Sequence, residues 1–115
     1  MARIAFYPCC ATDFVEPYAI LSELVDEIIF CDKNRSAEKE FSKLQTSFPK
    51  ASFLLKDAII ALKEINNIDI FFYRKDSNGE SGSGIYFFGD NVFPLIVEKL
   101  NKDGAVIISD GSNAR

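Results

Sequence analysis

The 115-residue chain contains no histidine, and none of its first 78 positions is a glycine. Without an imidazole, Cys-His and Ser-His nucleophilic mechanisms are excluded, as are zinc sites built on Cys and His. Without glycine before Gly79, any turn in that stretch needing a positive φ must be made by other residues, at a cost of about 1–2 kcal/mol each. Cysteine is scarce as well: Cys9, Cys10 and Cys31 are odd in number and form no C-x-x-C pair. That excludes a disulfide framework and fits a reducing, intracellular setting. No apolar run is long enough to span a membrane, and Met1 leads into a strand-like run without the basic and apolar regions of a signal peptide. A cytoplasmic protein with no membrane association is expected. Positive charge is also in deficit, with 13 Lys and Arg against 17 Asp and Glu, a net charge of -4. The basic residues form no cluster suited to a phosphate backbone, so direct nucleic-acid binding is not expected.

What is present reads as one domain over residues 1–115, long enough to bury a full core. "RIAFYP" (3–8) is a short β-rich run, and Pro17 opens a helix over about 16–25 in which Tyr18, Leu21, Leu24 and Val25 recur at helical spacing. "EIIFCD" (27–32) is a second strand, followed by a helix capped at Asn34 or Ser36 that points Phe41, Leu44 and Phe48 inward and stops at Pro49. "SFLL" (52–55) precedes an Asp57-capped helix, and "IDIFFY" (68–73) is the fourth and most apolar strand. "RKDSNGESGSG" (74–84) is a loop, and "IYFF" (85–88) is either a short strand or an apolar anchor. A helix from about Gly89–Asp90 to Leu100 and a strand "AVIISD" (105–110) complete the pattern.

Strands alternating with helices imply a parallel sheet covered on both faces, because right-handed crossovers change face where the strand order reverses. The expected fold is a three-layer α/β/α Rossmann-like sandwich of about five mainly parallel strands in the order 3-2-1-4-5. Ligands of such sheets sit at the carboxyl ends of the strands beside the reversal. The strand ends read "YPCCATD", "CDKN", "LKDA" and "DIFFYRKDS", and this series resembles the S-adenosylmethionine-dependent methyltransferase fold. The resemblance implies that residues 8–13, with Cys9 and Asp13, lie under the methionine part of a cofactor. It also implies that Asp32 holds the ribose hydroxyls and that Asp57 sits beside the adenine. Three departures shape the expectations. The glycine-free first loop is expected not to close on S-adenosylmethionine, leaving binding no tighter than about 1 mM. "FYRKDS" replaces the Asn/Asp-Pro-Pro-aromatic run of enzymes acting on amino groups. The closing antiparallel hairpin and substrate-recognition insertion usual after the fifth strand are not expected after Asp110.

Asp13, Asp32, Asp57, Asp76 and Asp110 all fall at or just past strand ends. Such a set suits a hard cation such as magnesium, but Asp is also the common cap and turn residue, and no metal is expected. Cys9 and Cys10 lie either where a helix N-terminus lowers a thiol pKa or where one packs inward and the other lines the loop. The 74–84 loop offers donors and acceptors in Arg74, Asp76, Ser77, Glu80 and Ser83, and with Asp13, Asp32 and Asp57 it forms the expected partner-contact edge. The first reading is therefore a non-catalytic acidic binding protein, resembling in size and charge the immunity proteins and antitoxins that neutralise basic nuclease toxins. Its carboxylates would meet a basic protein partner and occlude that partner's active site. The alternative reading is a minimal methyltransferase-like protein that binds S-adenosylmethionine or a related nucleoside.

Overall fold

Side chains alternate across a strand, and in the computed structural model, which describes residues 2–76 and 82–110, this alternation sorts the apolar residues into two cores. The elements run β1 (Ile4–Pro8), α1 (Val15–Leu21), β2 (Glu27–Asp32), α2 (Arg35–Leu44), β3 (Ala51–Leu55), α3 (Ala58–Glu64), β4 (Ile70–Tyr73), α4 (Phe93–Lys99) and β5 (Val106–Ser109). A short 3-10 turn, Gln45–Ser47, extends α2. The strands form one sheet in the order β3-β2-β1-β4-β5, and every pairing between them is parallel.

Tyr7, Ile28, Phe30, Ile70 and Phe72 point to one face, where they meet Leu21, Phe41 and Phe48 from α1, α2 and the turn after it. Phe6, Ile29, Cys31, Phe71 and Tyr73 point to the other, against Ala61 and Leu62 of α3 and Ile96 of α4. Both sides of each central strand are thus apolar, as a parallel sheet covered on two faces requires. The helices change face between β3 and β4, because the chain there reverses its direction of travel across the sheet. The first core is aromatic: Phe14 meets Phe30 and Phe41 edge-on, with ring centroids 5.1 and 5.5 Å apart.

Several boundaries differ from the sequence expectation. α1 stops at Leu21 instead of continuing to residue 25, because the backbone turns back over Leu21–Val25 and the Asp26 carboxylate accepts from the Arg3 N–H at 2.8 Å. Leu24 is consequently left on the surface. β4 begins at Ile70, two residues late, and Ile68 makes only an isolated bridge to Leu100. Residues 85–88 form no strand; Phe87 is the anchor, fully buried against Phe71 and Tyr73. α4 starts at Phe93 because the Gly89 carbonyl first takes the N–H groups of Val92 and Phe93 in a turn.

The amino end of the sheet is fastened by Asp69, which is buried. Its carboxylate accepts from the Ile4 N–H and the Asn101 side-chain amide, both at 2.8 Å. Its backbone bonds to Ile4 and Val106 on either side. Asp69→Ala leaves two donors without their acceptor, and we expect a loss of about 2–4 kcal/mol in urea unfolding. A loss under about 1 kcal/mol would show that this end of the sheet does not depend on the carboxylate.

Candidate functional site

The strand order reverses between β1 and β4, and at the carboxyl end of the neighbouring strand Asp32 closes β2. Its side chain is almost wholly buried, with one oxygen accepting from the Ala11 N–H and the other from the Asn34 N–H, each at 2.9 Å. One carboxylate therefore ties the loop after β1 to the start of α2. That loop takes left-handed backbone at Cys9, φ 56°, and Ala11, φ 49°. As expected for a loop without glycine, non-glycine residues adopt the positive φ values here, at about 1–2 kcal/mol each. Asp32 and a 3.1 Å bond from the Cys10 N–H to the Cys31 carbonyl hold the strained turn in place.

A cleft of about 230 Å³ opens beside this turn. Cys9, Ala11, Asp32, Asn34, Asp57, Asp76, Ser83 and Ile85 line it, and Lys33 and Lys75 are also at its wall. Asp57 caps α3, one oxygen accepting from the Ile59 and Ile60 N–H groups at 2.9 and 3.3 Å. Asp76 gathers the two described ends of the 74–84 loop: it accepts from the Ser83 N–H at 2.8 Å, from the Ser83 hydroxyl at 2.5 Å, and from the Tyr73 hydroxyl. Burial, the Asp76 hydrogen bond and the Asp76 charge push the Tyr73 phenol up.

The predicted site residues among those described all lie at the carboxyl edge of the sheet, in two groups. Asp13 and Arg74 are not in the cleft lining but cluster with Tyr7 and Glu16 on the α1 side. Arg74 grips Asp13 through two nitrogens at 2.7 and 2.9 Å, donates to Glu16 at 2.6 Å, and lies 5.7 Å from the Phe72 ring. The Tyr7 hydroxyl donates to Asp13 at 2.7 Å. Burial pushes the Asp13 carboxyl up, but the Arg74 and Tyr7 hydrogen bonds and the Arg74 and Lys75 charges together outweigh it and hold it low. Ser77 and Glu80 lie outside the described residues. Sequence reasoning passed over Tyr7, Tyr73 and Glu16, although strand alternation places the two tyrosines on opposite faces and so separates the two clusters.

Burial raises all three thiols. Cys9, at the cleft wall, is pushed up to about 12 by burial first and then by the Asp76 charge, against a lowering hydrogen bond with Ser83. Cys31 is likewise pushed up to about 12 by burial and the Asp32 charge, and Cys10 is raised for the same reasons. All three are free thiols. Among the described residues no three Cys, Asp or Glu side chains come together as a metal site. No helix among them is long and apolar enough to cross a membrane.

No protein-family model and no curated protein matches the chain. Solved structures do match its fold. The precorrin 8w decarboxylase of Methanobacterium thermoautotrophicum is 21% identical with a TM-score of 0.63, over 91% of this chain and 53% of its own. Spermidine synthase in complex with the transition-state analogue AdoDATO is 14% identical with a TM-score of 0.68, over 91% and 38%. An rRNA methylase from Streptococcus thermophilus is 11% identical with a TM-score of 0.63, over 93% and 61%. The chain thus spans between 38% and 61% of the length of these structures. At such identities the likeness shows the fold, which is the methyltransferase-like form of the Rossmann sandwich.

Two outcomes follow from this geometry. Ala11 is exposed and left-handed, so Ala11→Gly removes strain at a small cost in unfolded-chain entropy; a gain of about 0.5–1 kcal/mol in thermal unfolding is expected, and a loss would deny the strain. Asp13→Asn is expected to cost about 1–3 kcal/mol near neutral pH. The folded Asp13 carboxyl is held low, so its contribution is complete above the unfolded value of about 4 and is lost as the pH falls through the folded value. Urea titrations at several pH values should therefore show wild type and variant converging only below about pH 4.

Proposed function

We propose that the cleft binds a nucleoside that carries positive charge, of the S-adenosylmethionine type. The observation that carries this reading is Asp32, a buried carboxylate at the end of β2, one strand from the strand-order reversal, lining the cleft beside a strained β1 loop. Each Asp32 oxygen accepts one backbone N–H and retains a second lone pair, so the pair can accept two ribose hydroxyls. Ala58 and Ile85 add apolar surface on which a base can lie. The cleft's three aspartates outnumber its two lysines, a balance that favours a cation over a phosphate group.

The residues present fit such a ligand, with Asp32 for the ribose, the Cys9–Ala11 backbone for the chain beyond it, and Asp57 and Ile85 for the base. At about 230 Å³ the cleft is smaller than the roughly 300–1,000 Å³ of sites for drug-sized molecules, so it takes the nucleoside part and leaves the rest at the open rim. When bound, a sulfonium nucleoside supplies an activated methyl group. The acidic-inhibitor reading draws in part on Asp13, whose charge the fold pairs with Arg74, and no buried carboxylate in a cleft supports it as Asp32 supports the nucleoside. For that reason we place the binding function in the cleft and not along an acidic edge.

Thermal unfolding with S-adenosylmethionine at a hundred times its dissociation constant should gain about 2.7 kcal/mol, or roughly 4–8 °C for a domain of this size. Asp32→Asn, confirmed folded by circular dichroism, should weaken calorimetric binding by about tenfold or more. No shift with millimolar S-adenosylmethionine, S-adenosylhomocysteine or adenosine would overturn the proposal.

A further inference from the structure

A second cavity opens beside the cleft, on the side of the sheet that α3 and α4 cover. It is a groove of about 770 Å³ between the first turn of α3 and residues 84–92, and Ile85 is the one lining residue it has in common with the cleft. Its volume falls within the roughly 300–1,000 Å³ of sites for drug-sized molecules, which the cleft does not reach.

The wall of this groove is fixed in place. Gly84 is left-handed, φ 76°, and a Cβ on Gly89 would come within 2.5 Å of Tyr86 Cδ2, so only glycine lets the Tyr86 ring lie against the backbone there. The Gly89 N–H closes that turn on the Tyr86 carbonyl at 3.1 Å. Phe87 is buried against Phe71 and Tyr73. Phe88 meets Tyr73 edge-on, with ring centroids 5.9 Å apart, and packs on Phe93 at 6.0 Å. A wall anchored in this way needs little ordering when a ligand arrives.

Charge sets the class of ligand. Tyr86 and Phe88 are half-buried and line the groove, so each keeps part of its ring accessible there. Asp90 is exposed beside them, and its carboxylate takes no hydrogen bond and no ion pair. The carboxylates of Asp13, Asp32, Asp57, Asp69 and Asp76 are all engaged by the fold. Among the described residues no Lys or Arg lines the groove. Ring faces and a carboxylate both attract a cation, the first through the ring quadrupole and the second through its full charge.

We propose that this groove binds a protonated amine carried on a flat apolar body, of the arylalkylamine class. The ammonium lies at Asp90 and the ring lies against Tyr86, Phe88, Ile59 and Val92. An anion of the same shape is repelled by Asp90, and a neutral analogue forgoes the charge. The site stands on its own geometry, whatever the cleft binds.

Phenethylamine titrated into the full chain and followed by amide NMR should shift Gly89, Asp90 and Val92 saturably, with a dissociation constant in the low millimolar range. Phenylpropionate, of similar size and opposite charge, should bind about tenfold more weakly or worse, and phenethyl alcohol about threefold more weakly. Asp90→Asn, at an exposed position, should bring the amine to the affinity of the alcohol and leave the alcohol unchanged. The cleft is acidic too, so the amides of Ala11 and Asn34 serve as its reporters. No saturable shift up to about 20 mM amine, equal binding of amine and acid, amine binding indifferent to Asp90→Asn, or shifts confined to the cleft amides would each overturn the proposal.

Discussion

The bond between the Asp32 carboxylate and the backbone of two loops is the constraint on which the carboxyl end of the sheet depends. A parallel sheet brings the ends of β1 and β2 side by side, but nothing in the ladder itself fixes the loops that leave them. Asp32 does so because a short side chain with two acceptor oxygens can reach the Ala11 and Asn34 N–H groups at once. The left-handed turn at Cys9 and Ala11 is then held by a charge-assisted hydrogen bond, which is stronger than the neutral kind. The cleft exists because that turn folds back from the strand instead of running on across it.

A second constraint acts at the end of β4. Tyr73 and Arg74 are neighbours in sequence and leave the strand on opposite faces, so the polar groups that follow divide between them. Arg74 joins Tyr7, Asp13 and Glu16 on the α1 side, while Tyr73 reaches Asp76, which binds Ser83 beside the cleft. The Arg74 guanidinium is raised chiefly by its hydrogen bond with Asp13 and so stays charged at any working pH. Its cluster is a brace for the β1–α1 loop, and the cleft takes its negative charge from Asp32, Asp57 and Asp76.

Strand order and the two-faced core were legible because they follow from period-two alternation and from the handedness of crossovers, both of which act on every residue of an element. The end of α1 was not, since Leu24 and Val25 keep helical spacing while the backbone has already turned at Leu21. The positions of Asp32 and Asp57 at strand ends were also legible. Their use was not, because a carboxylate's partners here are backbone N–H groups that carry no sequence signal. Asp13 and Asp32 share the carboxyl edge but not a cluster, because Asp13 follows β1 by five residues, room enough for the loop to carry it to Tyr7 and Arg74. Asp69 escaped notice because an acid at the amino end of a strand resembles an ordinary loop residue until the Ile4 N–H and Asn101 are seen to close on it.

The two ends of the sheet divide strain and support. Among the described residues, three of the four non-glycine residues with positive φ, Cys9, Ala11 and Lys75, lie at the carboxyl end, around the cleft. The amino end has Asp26 and Asp69 receiving backbone N–H groups, and the fourth such residue there is Asn67, a type that tolerates the left-handed region. Strained backbone persists only where its surroundings over-determine it. A rigid amino end and two filled cores supply that rigidity, so the carboxyl end can hold a turn that the local sequence disfavours, and a binding loop can be built without glycine.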